Sequence, residues 1–216
     1  MKYFKKILFL FTILIYSCAP KLENLTIVKD EIAEYYESGK YESELKKIIS
    51  DAIEEFNDIT IYDPAFGGTA VVFDIDETTL SNYKIIKETG FGYVSSIWDG
   101  WVHSAEAPAI EEVKNLYDTL VAKGVSIIFI TGRKDTDYKA SISNLKKAGY
   151  IEFDTLITRN PSEYKTTALE YKTNKRRELT EKGYEIIGSV GDQWSDIEGG
   201  FCLIKVKLPN YLYYIP

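Results

Sequence analysis

Apolar residues along this chain follow two rhythms. Up to about Asn57 they recur every three or four positions, with Tyr41, Leu45, Ile48, Ile49, Ala52, Ile53 and Phe56 set among glutamates and lysines. That spacing predicts an amphipathic helix, and Gly39 separates it from a shorter helix around Ile32 to Tyr36. From Thr69 the rhythm changes to short apolar runs that alternate with helical stretches. Strands are expected at Thr69–Phe73, Val125–Ile130, Thr155–Thr158, Glu185–Val190 and Phe201–Val206. Helices are expected at Pro108–Lys123, Thr136–Ala148 and Glu170–Lys182, each followed by a glycine (Gly124, Gly149, Gly183) suited to a left-handed cap. Pro108 suits a first helical turn. Strands alternating with helices imply βαβ units, so the expected class is α/β with a mostly parallel sheet.

Composition narrows this only a little. A length of 216 residues suits one such domain, and 45% hydrophobic with 27% charged residues is ordinary for a globular chain. A formal charge of −7 offers no basic stripe for phosphate backbones, which argues against general nucleic-acid binding. The N-terminus adds more. Met1 to Lys6 carries three lysines, Ile7 to Tyr16 is almost wholly apolar, and Ser17-Cys18-Ala19-Pro20 follows. This fits a secretory signal and is short for a membrane span. Ile15-Tyr16-Ser17-Cys18 resembles a bacterial lipobox, whose cysteine becomes the lipidated first residue of the mature protein. The expected organisation is a signal peptide at 1–17, lipidation at Cys18, a tether at 18–29 and a domain from 30 to 216. An ordinary signal with an incidental cysteine is the alternative. Ala19 leans the expected location toward an outer membrane. Cys202 is then left alone, so disulfides do not hold the fold together.

The chemistry concentrates where strands end. The first strand runs into Asp74-Ile75-Asp76-Glu77, and residues two apart on an extended segment share a face. Buried carboxylates are costly unless offset, and a divalent cation is the usual partner; an acidic turn is the bland reading. In a parallel sheet, ligands bind beyond the carboxyl ends of the strands. Asp74 to Asp76, Thr131-Gly132-Arg133 and Gly191-Asp192 all fall at such ends and are expected to converge. Asp192 and Asp196 stand four apart and project the same way. His103 is the only histidine, so an imidazole metal site and zinc are not expected.

In this order the segments VFDIDETTLSN, WVHSAEAPAI, ISNLKKAGY, YKTNKRREL, GDQWSDI and KLPNYLYYIP resemble the haloacid dehalogenase-like hydrolases. Within them they are similar to the class B/class C acid phosphatases, which include bacterial lipoprotein phosphatases and plant vegetative storage proteins. The resemblance spans roughly Val71 to Pro216. It implies a three-layer, Rossmann-like parallel sheet with N-terminal helices (30–57) and a small cap insert at about 83–107. Asp74 matches the nucleophile that forms an aspartyl-phosphate, and Asp76 the general acid and then base. Thr131 and the backbone at Gly132 match the groups that bind a phosphoryl oxygen. Lys172 matches the charge-neutralising lysine, with Lys165 and Lys175 as rivals nearby. Asp74, the backbone carbonyl of Asp76, Asp192 and Asp196 match an all-oxygen Mg²⁺ shell. Trp98 and Trp101, with Phe91 and Tyr93, could stack on an aromatic or nucleobase leaving group, or fill a mini-core of the cap.

The expected activity is Mg²⁺-dependent hydrolysis of small phosphate monoesters by a lipid-anchored envelope protein. A storage, binding or adhesive lipoprotein on the same fold, and a phosphotransferase, are the competing readings. The intact Asp74 counts against a silent site. Oligomeric state and physiological substrate are not legible. Glu77 has no assigned role.

Overall fold

A computed structural model describes residues 22–59 and 67–215. The expected signal peptide and Cys18 lie outside the described residues. Helices α1 (Leu25–Glu37) and α2 (Lys40–Asn57) precede strand β1 (Thr69–Phe73), and short helices α3 (Tyr83–Glu88) and α4 (Ser95–Ser104) follow it. Then come α5 (Glu111–Ala122), β2 (Ser126–Lys134), α6 (Tyr138–Lys147), β3 (Thr155–Arg159), α7 (Ala168–Glu181), β4 (Glu185–Gly191), α8 (Trp194–Ile197) and β5 (Ile204–Lys207).

The five strands form one parallel sheet in the order β3-β2-β1-β4-β5. β1 lies at the centre and is buried throughout, which is why Thr69–Phe73 reads as a continuous apolar run instead of an alternating one. Its residues divide by parity. Val71 and Phe73 face the core built with α1, α2 and α5, whereas Ala70 and Val72 face the smaller core under α7, with Tyr171 and Leu179. The sheet is therefore the middle of three layers, as expected.

The N-terminal helices belong to this body. Tyr36, Tyr41, Leu45, Ile49, Ala52 and Phe56 are all buried in the larger core. Phe56 lies directly on β4, where a Cβ added to Gly188 would come within 2.4 Å of its ring. Only glycine leaves room for that approach.

Three local expectations are corrected. Residues 25–29 of the expected tether are helical, because α1 already begins at Leu25; Asn24 caps it by accepting from the Thr26 N–H at 2.9 Å. Pro108 is not in the first turn of α5, which starts at Glu111; its carbonyl instead accepts from the Ser81 N–H at 2.9 Å. β2 does not stop at Ile130 but continues to Lys134, since its pairing with β3 shifts register there and resumes at Lys134 opposite Arg159. Gly124, Gly149 and Gly183 do close their helices, with φ of 76°, 90° and 98°.

The chain runs outward from β1 through β2 to β3, then returns to lay β4 on the other side of β1. The switch point between β1 and β4 opens a crevice at their carboxyl ends. Asp74 follows one of these strands and Asp192 the other. Helices α3 and α4 make up the insert between β1 and α5, close to the expected cap span.

Candidate active site

Asp74 leaves β1 with its N–H still bonded to the Val190 carbonyl of β4 at 3.0 Å, so its backbone is held as part of the sheet. The chain then turns sharply: the Ile75 carbonyl accepts from the N–H groups of Thr78, Thr79 and Leu80 at 3.2, 2.9 and 2.9 Å. Glu77 adopts φ 55° inside this turn, a conformation that costs a non-glycine residue about 1 kcal/mol.

Carboxylate oxygens of Asp74, Asp192 and Asp196 lie within 4.8 Å of one another, and all three residues are buried. Lys172, on the face of α7 that meets β4, donates to Asp74 Oδ1 at 2.5 Å and also to Asp196 Oδ1. Three carboxylates and one ammonium leave a formal charge of −3 + 1 = −2 inside the protein. Burial pushes the Asp74 carboxyl well above the usual carboxylate range, against the pull of Lys172. Burial and the nearby Asp196 push Asp192 up to about 7. Lys172 moves up despite its burial, because Asp196 and Asp74 outweigh the desolvation. A buried, all-oxygen cluster with two uncompensated negative charges fits a hard divalent cation.

Neighbours fix these carboxylates. Asp192 accepts from Thr78 Oγ1 at 3.1 Å, Gln193 Nε2 at 2.5 Å and Asn210 Nδ2 at 2.6 Å. Asp196 Oδ2 accepts from the Gln193 N–H at 2.8 Å. A Cβ on Gly191 would fall 2.2 Å from the Asp196 Cβ, so glycine is required there for Asp196 to reach the cluster. Arg176, one turn after Lys172 and fully buried, donates to the carbonyls of Asp196 at 2.6 Å, Gly200 at 3.0 Å and Glu198. One helix thus supplies both the ammonium and the clamp on the turn that carries Asp196.

Asp76 is handled differently. Its carboxylate accepts from Arg133 through Nη2 at 2.6 Å and Nε at 3.0 Å, and from Asn82 Nδ2 at 2.9 Å. It is therefore not part of the carboxylate cluster, and among the expected metal ligands only its backbone carbonyl is left to serve. Glu77, left without a role by the sequence, is buried and accepts from the Asn82 N–H at 2.6 Å, Asn82 Nδ2 at 3.1 Å and Tyr213 OH at 2.7 Å. Burial, reinforced by Asp76, pushes its carboxyl up to about 7.

These groups open onto a cavity of about 570 Å³ lined by Asp74, Asp76, Lys172, Asp192 and Asp196 below and by cap and tail residues above. Gly132 and Trp98 line it, with Phe91, Tyr93 and Ile97 beside Trp98. Thr131 does not: it is fully buried and its hydroxyl accepts from the Arg133 N–H at 3.2 Å. Trp101 does not either, which corrects its expected contact with substrate; its indole turns inward and donates to Asn82 Oδ1 at 2.7 Å. Of the three lysines, Lys175 is engaged by Glu163 at 2.6 Å and Glu178, and Lys165 is exposed. Lys172 alone of these enters the cluster. The C-terminal segment, given no role in the site by the sequence reading, closes one wall: Tyr213, Tyr214 and Ile215 line the cavity, and the Ile215 N–H bonds Gln193 Oε1 at 3.0 Å.

The sequence model described as HAD superfamily, subfamily IIIB (acid phosphatase), matches residues 19–216. The chain is similar to acid phosphatase 1 of Solanum lycopersicum, at 32% identity over 86% of this chain and 74% of that protein. It is 38% identical to the stem 28 kDa glycoprotein of Glycine max, over 84% of this chain and 72% of that one. Vegetative storage protein 1 of Arabidopsis thaliana is 35% identical over 67% of this chain and 55% of its own length. The fold matches the class C acid phosphatase from Bacillus anthracis with a TM-score of 0.71 at 22% identity, covering 88% of this chain and 85% of that one.

Asp74, Asp192 and Glu77 all hold protons more tightly in the folded chain than in an unfolded one, where carboxyls titrate near pH 4. The folded state binds more protons between those values, so stability falls as pH rises from about 4 to about 7. Metal-stripped protein should melt at lower temperature at about pH 7.5 than at about pH 5, and Mg²⁺ should restore the loss at the higher pH. A melting temperature that rises across this range and ignores Mg²⁺ would contradict the cluster as described.

Proposed function

This chain belongs to subfamily IIIB of the HAD superfamily, the acid phosphatases, and from that premise we propose that it is a Mg²⁺-dependent enzyme working through an aspartyl-phosphate on Asp74. Hydrolysis of phosphate monoesters is its activity; the metal, the intermediate, the substrate class and the anchor are the proposed part. The observation that carries the reading is Lys172 bonded to both Asp74 and Asp196 within a buried cluster of charge −2 on the cavity floor.

In the first step an Asp74 carboxylate oxygen attacks phosphorus, the bond to the leaving oxygen breaks, and Asp76 hands that oxygen a proton. In the second, water attacks the aspartyl-phosphate, Asp76 takes its proton, and the Asp74–phosphorus bond breaks. Asp76 suits this work because Arg133 and Asn82 hold its carboxylate apart from the cluster while it still lines the cavity. The Lys172 ammonium offsets charge that builds on the phosphoryl oxygens. The Gly132 N–H is the proposed donor to one of those oxygens, while Thr131, buried behind the cavity wall, accepts from the Arg133 N–H and so helps fix the turn that presents it. Held by Asp74, Asp192 and Asp196, with the Asp76 carbonyl, Mg²⁺ would add positive charge against the phosphate.

Trp98, Phe91 and Tyr93 give the mouth of the cavity an aromatic wall. A nucleobase fits such a wall by stacking, which supports nucleoside monophosphates as substrates. The N-terminal pattern from Lys2 to Cys18 supports export and lipidation at Cys18, on a bacterial envelope membrane.

Asp74→Asn should lower p-nitrophenyl phosphate hydrolysis by about three orders of magnitude or more, and EDTA should abolish wild-type activity until Mg²⁺ is returned. Full activity in that variant would remove the aspartyl-phosphate. Trp98→Ala should raise KM for nucleoside monophosphates about tenfold with little change for methyl phosphate; equal effects on both would remove the nucleotide reading. Cys18→Ser should move the protein from the membrane fraction to the soluble one, and its persistence in membranes would refute the lipid anchor.

A further inference from the structure

We propose that Asn82 and Trp101 form a positioning pair through which the cap sets the direction of the Asp76 carboxylate. The proposal rests on the reading of Asp76 as the group that moves protons in the reaction.

Asn82 is fully buried at the foot of α3, and all of its side-chain polar atoms are engaged. Its Oδ1 accepts from Trp101 Nε1 at 2.7 Å, while its Nδ2 donates to Asp76 Oδ1 at 2.9 Å and Glu77 Oε2 at 3.1 Å. An indole nitrogen can only donate, so the amide oxygen must face Trp101. That requirement sends the NH₂ group toward the two carboxylates. The flipped amide would set its oxygen against both carboxylates and its NH₂ against the indole N–H, losing three hydrogen bonds at once. Glu77 fixes the backbone of the same residue by accepting from the Asn82 N–H at 2.6 Å, and Tyr213 of the C-terminal segment holds Glu77 at 2.7 Å.

Trp101 belongs to α4 of the cap, whose neighbour Trp98 lines the cavity. The orientation of Asn82 therefore depends on where the cap helix sits. The same Oδ1 of Asp76 also accepts from Arg133 Nη2 at 2.6 Å, and Oδ2 accepts from Arg133 Nε at 3.0 Å. Without the Asn82 donor, Arg133 is the one remaining side chain among those bonded to the carboxylate here, so its direction follows the guanidinium instead of the cap. Asn82 and Trp101 touch no reacting atom and act only through Asp76.

The consequence depends on the leaving group. When an alkyl phosphate reacts, the Asp74 oxygen–phosphorus bond forms, the phosphorus–alkoxide bond breaks, and the proton of Asp76 must reach the alkoxide. p-Nitrophenolate is stable enough to depart without it. The test is kcat/KM, which reports the first chemical step, for methyl phosphate and p-nitrophenyl phosphate with wild type, Trp101→Phe, Asn82→Ser and Asp76→Asn, each checked by thermal melting. Asp76→Asn should reduce the methyl phosphate value about a hundredfold more than the p-nitrophenyl value. Trp101→Phe, which removes the indole N–H and keeps an aromatic ring, should shift the same ratio about tenfold in the same direction; Asn82→Ser should do likewise if Trp101→Phe melts early. Equal losses on both substrates in Trp101→Phe and Asn82→Ser, alongside a leaving-group effect in Asp76→Asn, would overturn the positioning pair alone. No leaving-group effect in Asp76→Asn would overturn the proton-transfer reading of Asp76 and the pair with it.

Discussion

The site depends on one buried ammonium. Lys172 stands between Asp74 and Asp196, residues that come from the end of β1 and from α8, and it joins α7 to both. Each carboxylate alone would be expensive to bury, and so would the lysine. Together they are tolerable, because every charge has a partner within hydrogen-bonding distance. The surrounding design serves this contact. Gly191 makes room for Asp196, Arg176 clamps the turn that carries it, and the Val190 carbonyl fixes the backbone of Asp74. Lys172 balances only part of the charge. That shortfall is what makes the cluster one that could hold a divalent cation.

Asp74 and Asp76 are two residues apart, yet their surroundings differ as much as two carboxylates can. Asp74 faces an ammonium and two other carboxylates in a buried cluster; Asp76 faces a guanidinium and an amide at the cavity wall. Distinct environments are what would let one short segment supply both the proposed nucleophile and the proposed proton carrier. The turn that separates them is held by the triple use of the Ile75 carbonyl and by Glu77 in its left-handed conformation. Glu77 is also where the C-terminal segment attaches, through Tyr213, while Asn210 of the same segment bonds Asp192. Both halves of the site are thus braced by the last residues of the chain.

Much of this was legible from residues alone, because strand ends in a parallel sheet must converge. Thr69–Phe73 was readable as a buried strand from its unbroken apolar run, and Asp74 and Asp192 as points beyond strand ends, whereas Thr131 lies inside the longer β2. Lys172 was separable from Lys165 and Lys175 only by its place in the YKTNKRREL segment; the helix pattern made all three look like solvated lysines. The failures share a cause. Periodicity says which residues are apolar, not which way a polar side chain turns after its element ends. Trp101 looked like a base-stacking residue, and its N–H instead found Asn82. Glu77 looked idle because its partner Tyr213 lies 136 positions away. Capped by Asn24, α1 starts at Leu25, well ahead of the apolar rhythm around Ile32 to Tyr36, a capping effect that the rhythm does not contain.

What matters most is that, of the two carboxylates bonded to Lys172, Asp74 and not Asp196 takes the phosphoryl group. It is tested most directly by mixing enzyme, Mg²⁺ and an isotopically labelled phosphomonoester, quenching in acid within the first turnover, and mapping the label by mass spectrometry. Covalent phosphate on the peptide that contains Asp74, absent after alkaline treatment, is the expected result. Label on another residue, or turnover with no covalent phosphate at any quench time, would contradict it.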